Sequence, residues 1–476
     1  MEDLRRLLTF QAGDEQEPVS LIGADGDFFS GVIPWLIEQW KTVRPDDPLK
    51  IDDQNPAWGV GDDFKVDRHC FPNRMITLRD YQVQCVFKMI RSKRGIANLA
   101  TGAGKTKIGI AVIHILRTLL AEQPVGRKAL FVVGGVHLLN QVYDEFHEAG
   151  ITNVGRVGDA FSEFDQPITV AICASLYAGL KRSDKDVKKL LEDVNILVFD
   201  ECAHLKADSW MAIGSRCGAQ YRYGLDAFSM DPEEVDANAI RLMGITGPVL
   251  VRLPASWLWR RGYLAEPLMT TIDLWCPKVH GFDWHKVYRA GIVDNKMLNK
   301  AMTDLAAWLY KLDLHVMLLT QQKDHALSLL QGVSQLGLPA VMMTGGQQVK
   351  YFDAEGQFQE QSWPIQVYRE YVESRQASIT VATPVFDEGI NIPRMNALIP
   401  SGGVKKYRKV IQRNGRIMRA KKDASFGNRC FMFDFDLHNH SYFAKQFKER
   451  QAIYKREEYE VVAGMEEIRK LLGTST

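Results

Sequence analysis

The chain has 476 residues, 46% of them hydrophobic and 25% charged, with a formal net charge of +1. That balance belongs to a globular protein with material for roughly three domains and excludes a disordered or low-complexity chain. No apolar run approaches the ~18 residues that a membrane span needs, and seven scattered cysteines without a CxxC pair argue against a disulfide framework or a cysteine-held zinc site.

The opening Met1-Glu-Asp-Leu-Arg-Arg lacks a signal-peptide pattern, so the expected setting is cytoplasmic, or at least intracellular. Residues 1–70 hold 15 acidic against 7 basic residues, so this segment carries −8 and the rest of the chain +9. A basic remainder suits a polyanionic partner. The spacing of Trp35, Leu36 and Trp40 predicts a helix over 32–43 with these rings in its core. We read 1–70 as an acidic accessory domain with a protein-docking or restraining role.

A second domain is expected from residue 71. The phrase Leu78-Arg-Asp-Tyr-Gln82 precedes an amphipathic helix over 83–90 and lies 23 residues before Lys105. The Gln82 amide offers the donor and acceptor that match the adenine edge. Leu99-Ala-Thr-Gly-Ala-Gly-Lys-Thr106 then reads as a phosphate loop between a strand and a helix. Gly102 and Gly104 allow a turn that aims backbone N–H groups at phosphate oxygens. Lys105 is positioned for the β- and γ-phosphates, and the Thr106 hydroxyl for Mg²⁺.

Strands are expected over 128–133 and 168–173. The apolar run Asn195–Phe199 ends in Asp200-Glu-Cys-Ala-His204. Two carboxylates at the carboxyl end of a buried strand lie where parallel sheets bind ligands. Asp200 is a candidate for holding magnesium and Glu201 for polarising the attacking water.

The loop at 100–106 and the 200–204 phrase resemble motifs I and II of the superfamily 2 helicases and translocases, in the DEAH-like spelling. Gln82 is similar to the adenine-reading glutamine of that family. The resemblance implies a second, similarly folded lobe, and the residues for one follow. A helix is expected over 297–312, with strands at 316–320, 340–345 and 378–383. Pro384–Pro393 resembles motif V. Val410–Arg419 resembles motif VI, with Gln412, Gly415, Arg416 and Arg419 on its fixed positions. Within the superfamily the resemblance points to the branch containing XPB, RecG, UvsW and the restriction motor subunits. The tail Phe431–Asp436 and the phrases Gly244–Pro248 and Arg261–Ala265 are also similar to that branch.

The expected fold is therefore α/β: two tandem RecA-like lobes, 71–262 and 263–460, after the accessory domain, with a tail over 461–476. The resemblance implies ATP and Mg²⁺ as cofactors, hydrolysed in a cleft between the lobes. Arg79, Gln82, Thr101, Gly102, Ala103, Gly104, Lys105, Thr106 and Gly389 are implied to bind the nucleotide, with Thr106 and Asp200 on the metal. Lys105, Asp200, Glu201, Gln412, Arg416 and Arg419 are implied to be catalytic. Arg416 and Arg419, three apart, are expected on one face at the start of a helix. Ser175 and Thr383 are implied to touch backbone phosphates, which position a strand without reading it. Lys405–Lys422 adds nine basic residues and no acidic one.

Those residues imply an ATP-dependent DNA helicase or translocase that remodels branched DNA or forks, as in repair and recombination. The alternatives are a restriction or defence motor subunit, an ATP-gated clamp, and an RNA helicase. Gly224-Leu-Asp-Ala-Phe228 stands where the family's motif III carries two hydroxyls, which puts coupling to nucleic-acid movement in question. His438 and His440 near Asp434 and Asp436 suggest a metal set, set aside because alternate strand residues share one side.

Overall fold

The computed structural model describes residues 2–10, 19–20, 25, 30–47, 49, 59–122, 126–227, 237–344, 348–353, 355–374, 376–383, 394–403, 407–421 and 426–472. The chain divides into two compact units. The first comprises Met1–Ala100 with Gly104–Leu253, the second Thr101–Ala103 with Pro254–Thr476. Among the described residues no helix is long and apolar enough to cross a membrane.

The first unit is built on eight strands: β1 (Arg94–Leu99), β2 (Lys128–Val133), β3 (Val154–Gly158), β4 (Phe161–Ser162), β5 (Ile168–Ile172), β6 (Val194–Asp200), β7 (Tyr221–Asp226) and β8 (Val249–Leu253). Their order is β8-β1-β7-β6-β2-β5-β3-β4, parallel except for the terminal β3–β4 hairpin. β6 is buried at all seven positions, because β7 and β2 pair on its two edges and helices cover both faces. That explains a strand with no polar alternation before its terminal carboxylate.

Residues 1–70 do not build a core of their own among the described residues. Leu8, Val32 and Leu36, the last on α1 (Ile33–Val43), pack in one cluster with Ile240 and Met243. Gly31 sits so close to the backbone of Met243 and Gly244 that any Cβ would collide with it. Arg94 Nη1 donates to Ser30 Oγ at 2.6 Å. The acidic segment is therefore an extension of the first unit.

Among its described residues the second unit has nine strands: β9 (Glu266–Leu274), β10 (Val316–Leu319), β11 (Ala340–Thr344), β12 (Gln348–Phe352), β13 (Phe358–Ser362), β14 (Ile379–Ala382), β15 (Ala397–Pro400), β16 (Arg429–Leu437) and β17 (Glu460–Ala463). The order is β13-β12-β11-β14-β10-β15-β16-β9-β17. Only β12 runs against the other strands; it pairs antiparallel with both β11 and β13, which adds the β12–β13 hairpin to the edge of β11. The region expected as a tail begins inside β17, which pairs with β9. Asp434 of β16 is 1% exposed and takes a two-pronged contact from Arg450, both distances 2.8 Å, with Tyr454 donating at 3.0 Å. A paired, fully hydrogen-bonded guanidinium lets a carboxylate lie under a helix.

Candidate functional site

The phosphate loop follows β1, whose exit is fixed by Ala100 N–H donating to Leu253 O at 3.0 Å. Gly104 caps α2 (Lys105–Leu119) in the left-handed region, φ 76° and ψ 44°. A Cβ on Gly104 would stand 2.5 Å from Gln82 Nε2, so the side chain is excluded by packing as well as by backbone conformation. Gln82, on the helix Asp80–Ser92, is 3% exposed, and its Oε1 accepts the Arg79 N–H at 2.9 Å. The amide thus caps its own helix with one end and meets the phosphate loop with the other. The Arg79 guanidinium reaches Tyr81 Oη at 3.2 Å.

The first turn of α2 contains no acidic side chain, so the positive end of its dipole is not opposed from within the helix. Lys105 is half-buried and donates from Nζ to Leu99 O at 3.3 Å. Thr106 follows it in the same turn, also half-buried.

At the end of β6, Asp200 is 6% exposed and accepts the Glu201 N–H at 3.0 Å. Burial pushes its carboxyl up to about 7; Lys105 opposes the shift, while Glu201 and Asp226 add to it. A divalent cation would relieve that desolvation, and the Thr106 hydroxyl with a carboxylate is a hard-oxygen set that suits Mg²⁺. Glu201 adopts φ 49°, a left-handed conformation that a side chain enters at a cost. Its carboxylate lies 3.2 Å from His204 Nε2, and the His204 ring stacks on Trp210 at 5.5 Å.

The first of the two positions where motif III hydroxyls are replaced is Asp226, and it makes a bond of its own. Asp226, at the end of β7, is 1% exposed, and its Oδ2 accepts the Ala203 N–H at 2.6 Å. A carboxylate therefore ties β7 to the turn bearing Glu201 and His204. Sequence reasoning missed the role because a buried aspartate after an apolar strand looks like a defect until its partner is seen. Phe228 lies outside the described residues.

In the second unit Thr383 closes β14; it is 2% exposed, and its hydroxyl has no hydrogen-bond partner among the described residues. Gly389 lies outside the described residues. Ser175, in the first unit, is half-buried on the helix Cys173–Lys181.

Arg416 and Arg419 do not open a helix together. The helix α3 (Tyr407–Ile417) ends between them, leaving Arg416 in its last turn and Arg419 beyond it. The Met418 carbonyl accepts the Ala265 N–H at 2.6 Å, and Arg419 bridges to Leu264, so extended pairing replaces the next helical turn. Gln412 is half-buried, and Arg413, 5% exposed, faces the Gln321 amide oxygen at 2.9 Å once that amide is oriented to accept.

The histidine set also changes. β16 ends at Leu437, so His438 and His440 lie in the turn beyond it. His440 accepts the Tyr442 N–H at 3.1 Å and caps the helix Ser441–Arg456, while Asp434 is held by Arg450.

Residues 75–229 match the family described as "Type III restriction enzyme, res subunit", and 307–421 match "Helicase conserved C-terminal domain". The chain is 25% identical over 380 residues to the "DNA 3'-5' translocase XPB2" of Sulfurisphaera tokodaii, covering 73% of this chain and 79% of that protein. It is 24% identical over 366 residues to the "ATP-dependent DNA helicase uvsW" of Enterobacteria phage T4, covering 73% of this chain and 66% of that one. Its fold is similar to a fragment of a putative HsdR subunit of a type I restriction enzyme from Vibrio vulnificus YJ016. That match has a TM-score of 0.58 at 14% identity, over 81% of this chain and 68% of that one.

Proposed function

The chain belongs to the superfamily 2 helicases and translocases, and from that premise we propose that it is an ATP-dependent DNA helicase or translocase acting on branched DNA or forks. The observation that carries the reading is the first unit's sheet edge, where the Gly104 turn meets Gln82 and a buried Asp200 lies within the field of Lys105. In this reading Lys105 and the N–H groups at the start of α2 hold the β- and γ-phosphates. Thr106 and Asp200 hold Mg²⁺, which shields the phosphate charge. Glu201 orients and polarises the attacking water, and His204 limits where the Glu201 carboxylate points.

Gln412, Arg416 and Arg419 are proposed to answer the γ-phosphate charge, and Ser175 and Thr383 to contact strand phosphates. A protein partner for the acidic segment 1–70 remains part of the proposal.

The test is ATPase rate with duplex DNA, single strands, four-way junctions and RNA, paired with a strand-displacement assay. Stimulation by junctions with displacement is the expected result. Nucleotide-dependent binding without displacement would select the clamp, a reading favoured by Asp226 and Phe228 standing in place of the two motif III hydroxyls. Stimulation by RNA alone would replace DNA as the substrate.

A further inference from the structure

We propose that Asp273, Asp436 and His438 form a binding site for a divalent transition cation, typified by Zn²⁺, at the carboxyl edge of the second sheet. β9 and β16 run parallel with Asp273 opposite Asp436, which sets two carboxylates side by side. The turn after Leu437 then brings His438 to both. One donor atom from each residue lies within 4.8 Å of the other two.

The spacing suits three ligands of one cation. His438 Nε2 is 3.4 Å from Asp273 Oδ1 and 3.8 Å from Asp436 Oδ2. A charge-assisted hydrogen bond would close to about 2.7–2.9 Å. Ligands held at about 2.0–2.1 Å around a tetrahedral zinc stand about 3.4 Å apart. The second oxygen of Asp436, Oδ1, is buried with no hydrogen-bond partner among the described residues, so this carboxylate is under-satisfied there.

The surroundings hold the imidazole in place. Trp275 stacks on the His438 ring at 4.2 Å and 15°. Lys278 Nζ donates to the His438 carbonyl at 2.7 Å, fixing the main chain. One imidazole with two carboxylates suits zinc, manganese or cobalt better than the oxygen-only preference of calcium and magnesium. Three protein ligands leave a coordination position for water.

The test uses the full chain, with Zn²⁺ titrated by calorimetry and Ni²⁺ titrated while tryptophan emission is followed. We expect one Zn²⁺ per chain at this site, weakened at least ~10-fold by His438→Ala and by Asp273→Asn. Asp273 is 77% exposed, so its replacement separates ligand loss from misfolding. Ni²⁺ should quench Trp275 through His438. Trp275→Phe should remove that component of the quenching while keeping the Zn²⁺ affinity. Zn²⁺ affinity unchanged in both ligand variants, or Ni²⁺ quenching that is undiminished in Trp275→Phe, overturns the site.

Discussion

The two units solve the same architectural problem with different residues at the central strand ends. Each ends a mostly parallel sheet in a row of strand termini, the place where such sheets bind ligands. In the first unit those termini carry Asp200 and Asp226, both buried and both accepting backbone N–H groups. In the second, β14 ends in a buried hydroxyl, Thr383, and the neighbouring helix α3 belongs to a stretch with nine basic residues and no acidic one. The first edge sets two carboxylates close together at its centre, whereas the second sets a hydroxyl at its centre and keeps its carboxylates, Asp273 and Asp436, to the β9–β16 side. The sheet supplies positions, and the residue at each strand end chooses the chemistry.

The sharpest break in that comparison comes from the acidic edge. Glu201→Gln keeps the shape of the side chain but removes its basicity, so hydrolysis should fall roughly 10²–10⁴-fold with ATP binding retained. Lys105→Ala should abolish hydrolysis and weaken ATP binding as well. Steady-state ATPase together with nucleotide-binding titration distinguishes the two, and undiminished turnover in Lys105→Ala would remove the nucleotide assignment. On the basic edge, Arg419→Ala should lower the rate strongly while ATP binding changes little.

The next effect is on stability and is confined to the second unit. Removing the Arg450 side chain leaves the buried Asp434 without its cation, and breaking such a pair costs about 3–5 kcal/mol. Denaturant unfolding of Arg450→Ala should show a loss of that order. Replacing both residues by apolar ones of similar volume should recover most of it.

A smaller, pH-dependent term comes from His325, whose Nε2 lies 2.7 Å from Asn299 Oδ1. Burial lowers its pKa to about 4, with Asp324 and Asp294 opposing the shift. As pH falls from about 6.5 to 4, the unfolded chain takes the proton first, so the second unit loses up to about 3 kcal/mol. His325→Gln should flatten thermal stability across that window, and a pH profile unchanged by the substitution would assign the acid sensitivity elsewhere.

Much of the acidic edge was legible in the sequence because its parts are local. An apolar run reaching Phe199 and then Asp200-Glu201 announces a buried parallel strand and its terminal carboxylates. What was not legible depends on pairing across the chain. Asp273 and His438 are 165 positions apart, and nothing short of the β9–β16 register joins them. The β12–β13 hairpin escaped notice because Gln359, Glu360, Gln361 and Ser362 carry no apolar alternation for a half-buried strand. The end of α3 before Arg419 was only half legible: Asn414-Gly415 weakens the helix locally, but the Ala265 pairing that replaces its next turn lies far upstream.

Asp226 gives the smallest expected effect and the most informative one, because it belongs to neither simple description of its edge. It is as buried as Asp200, yet its bond goes to Ala203 in the turn that presents Glu201. Two consequences of its carboxylate oppose each other. The hydrogen bond holds the turn, while the negative charge adds to the burden on Asp200. Asp226→Asn keeps an acceptor for Ala203 and discards the charge; Asp226→Ala discards both. If the bond is what matters, Asn should retain the ATPase rate to within a few-fold, while Ala loses about 1–3 kcal/mol of stability from the stranded N–H and turns over more slowly. If Asn and Ala behave alike in both rate and thermal unfolding, the bond is incidental and the charge on the acidic edge is what the position supplies.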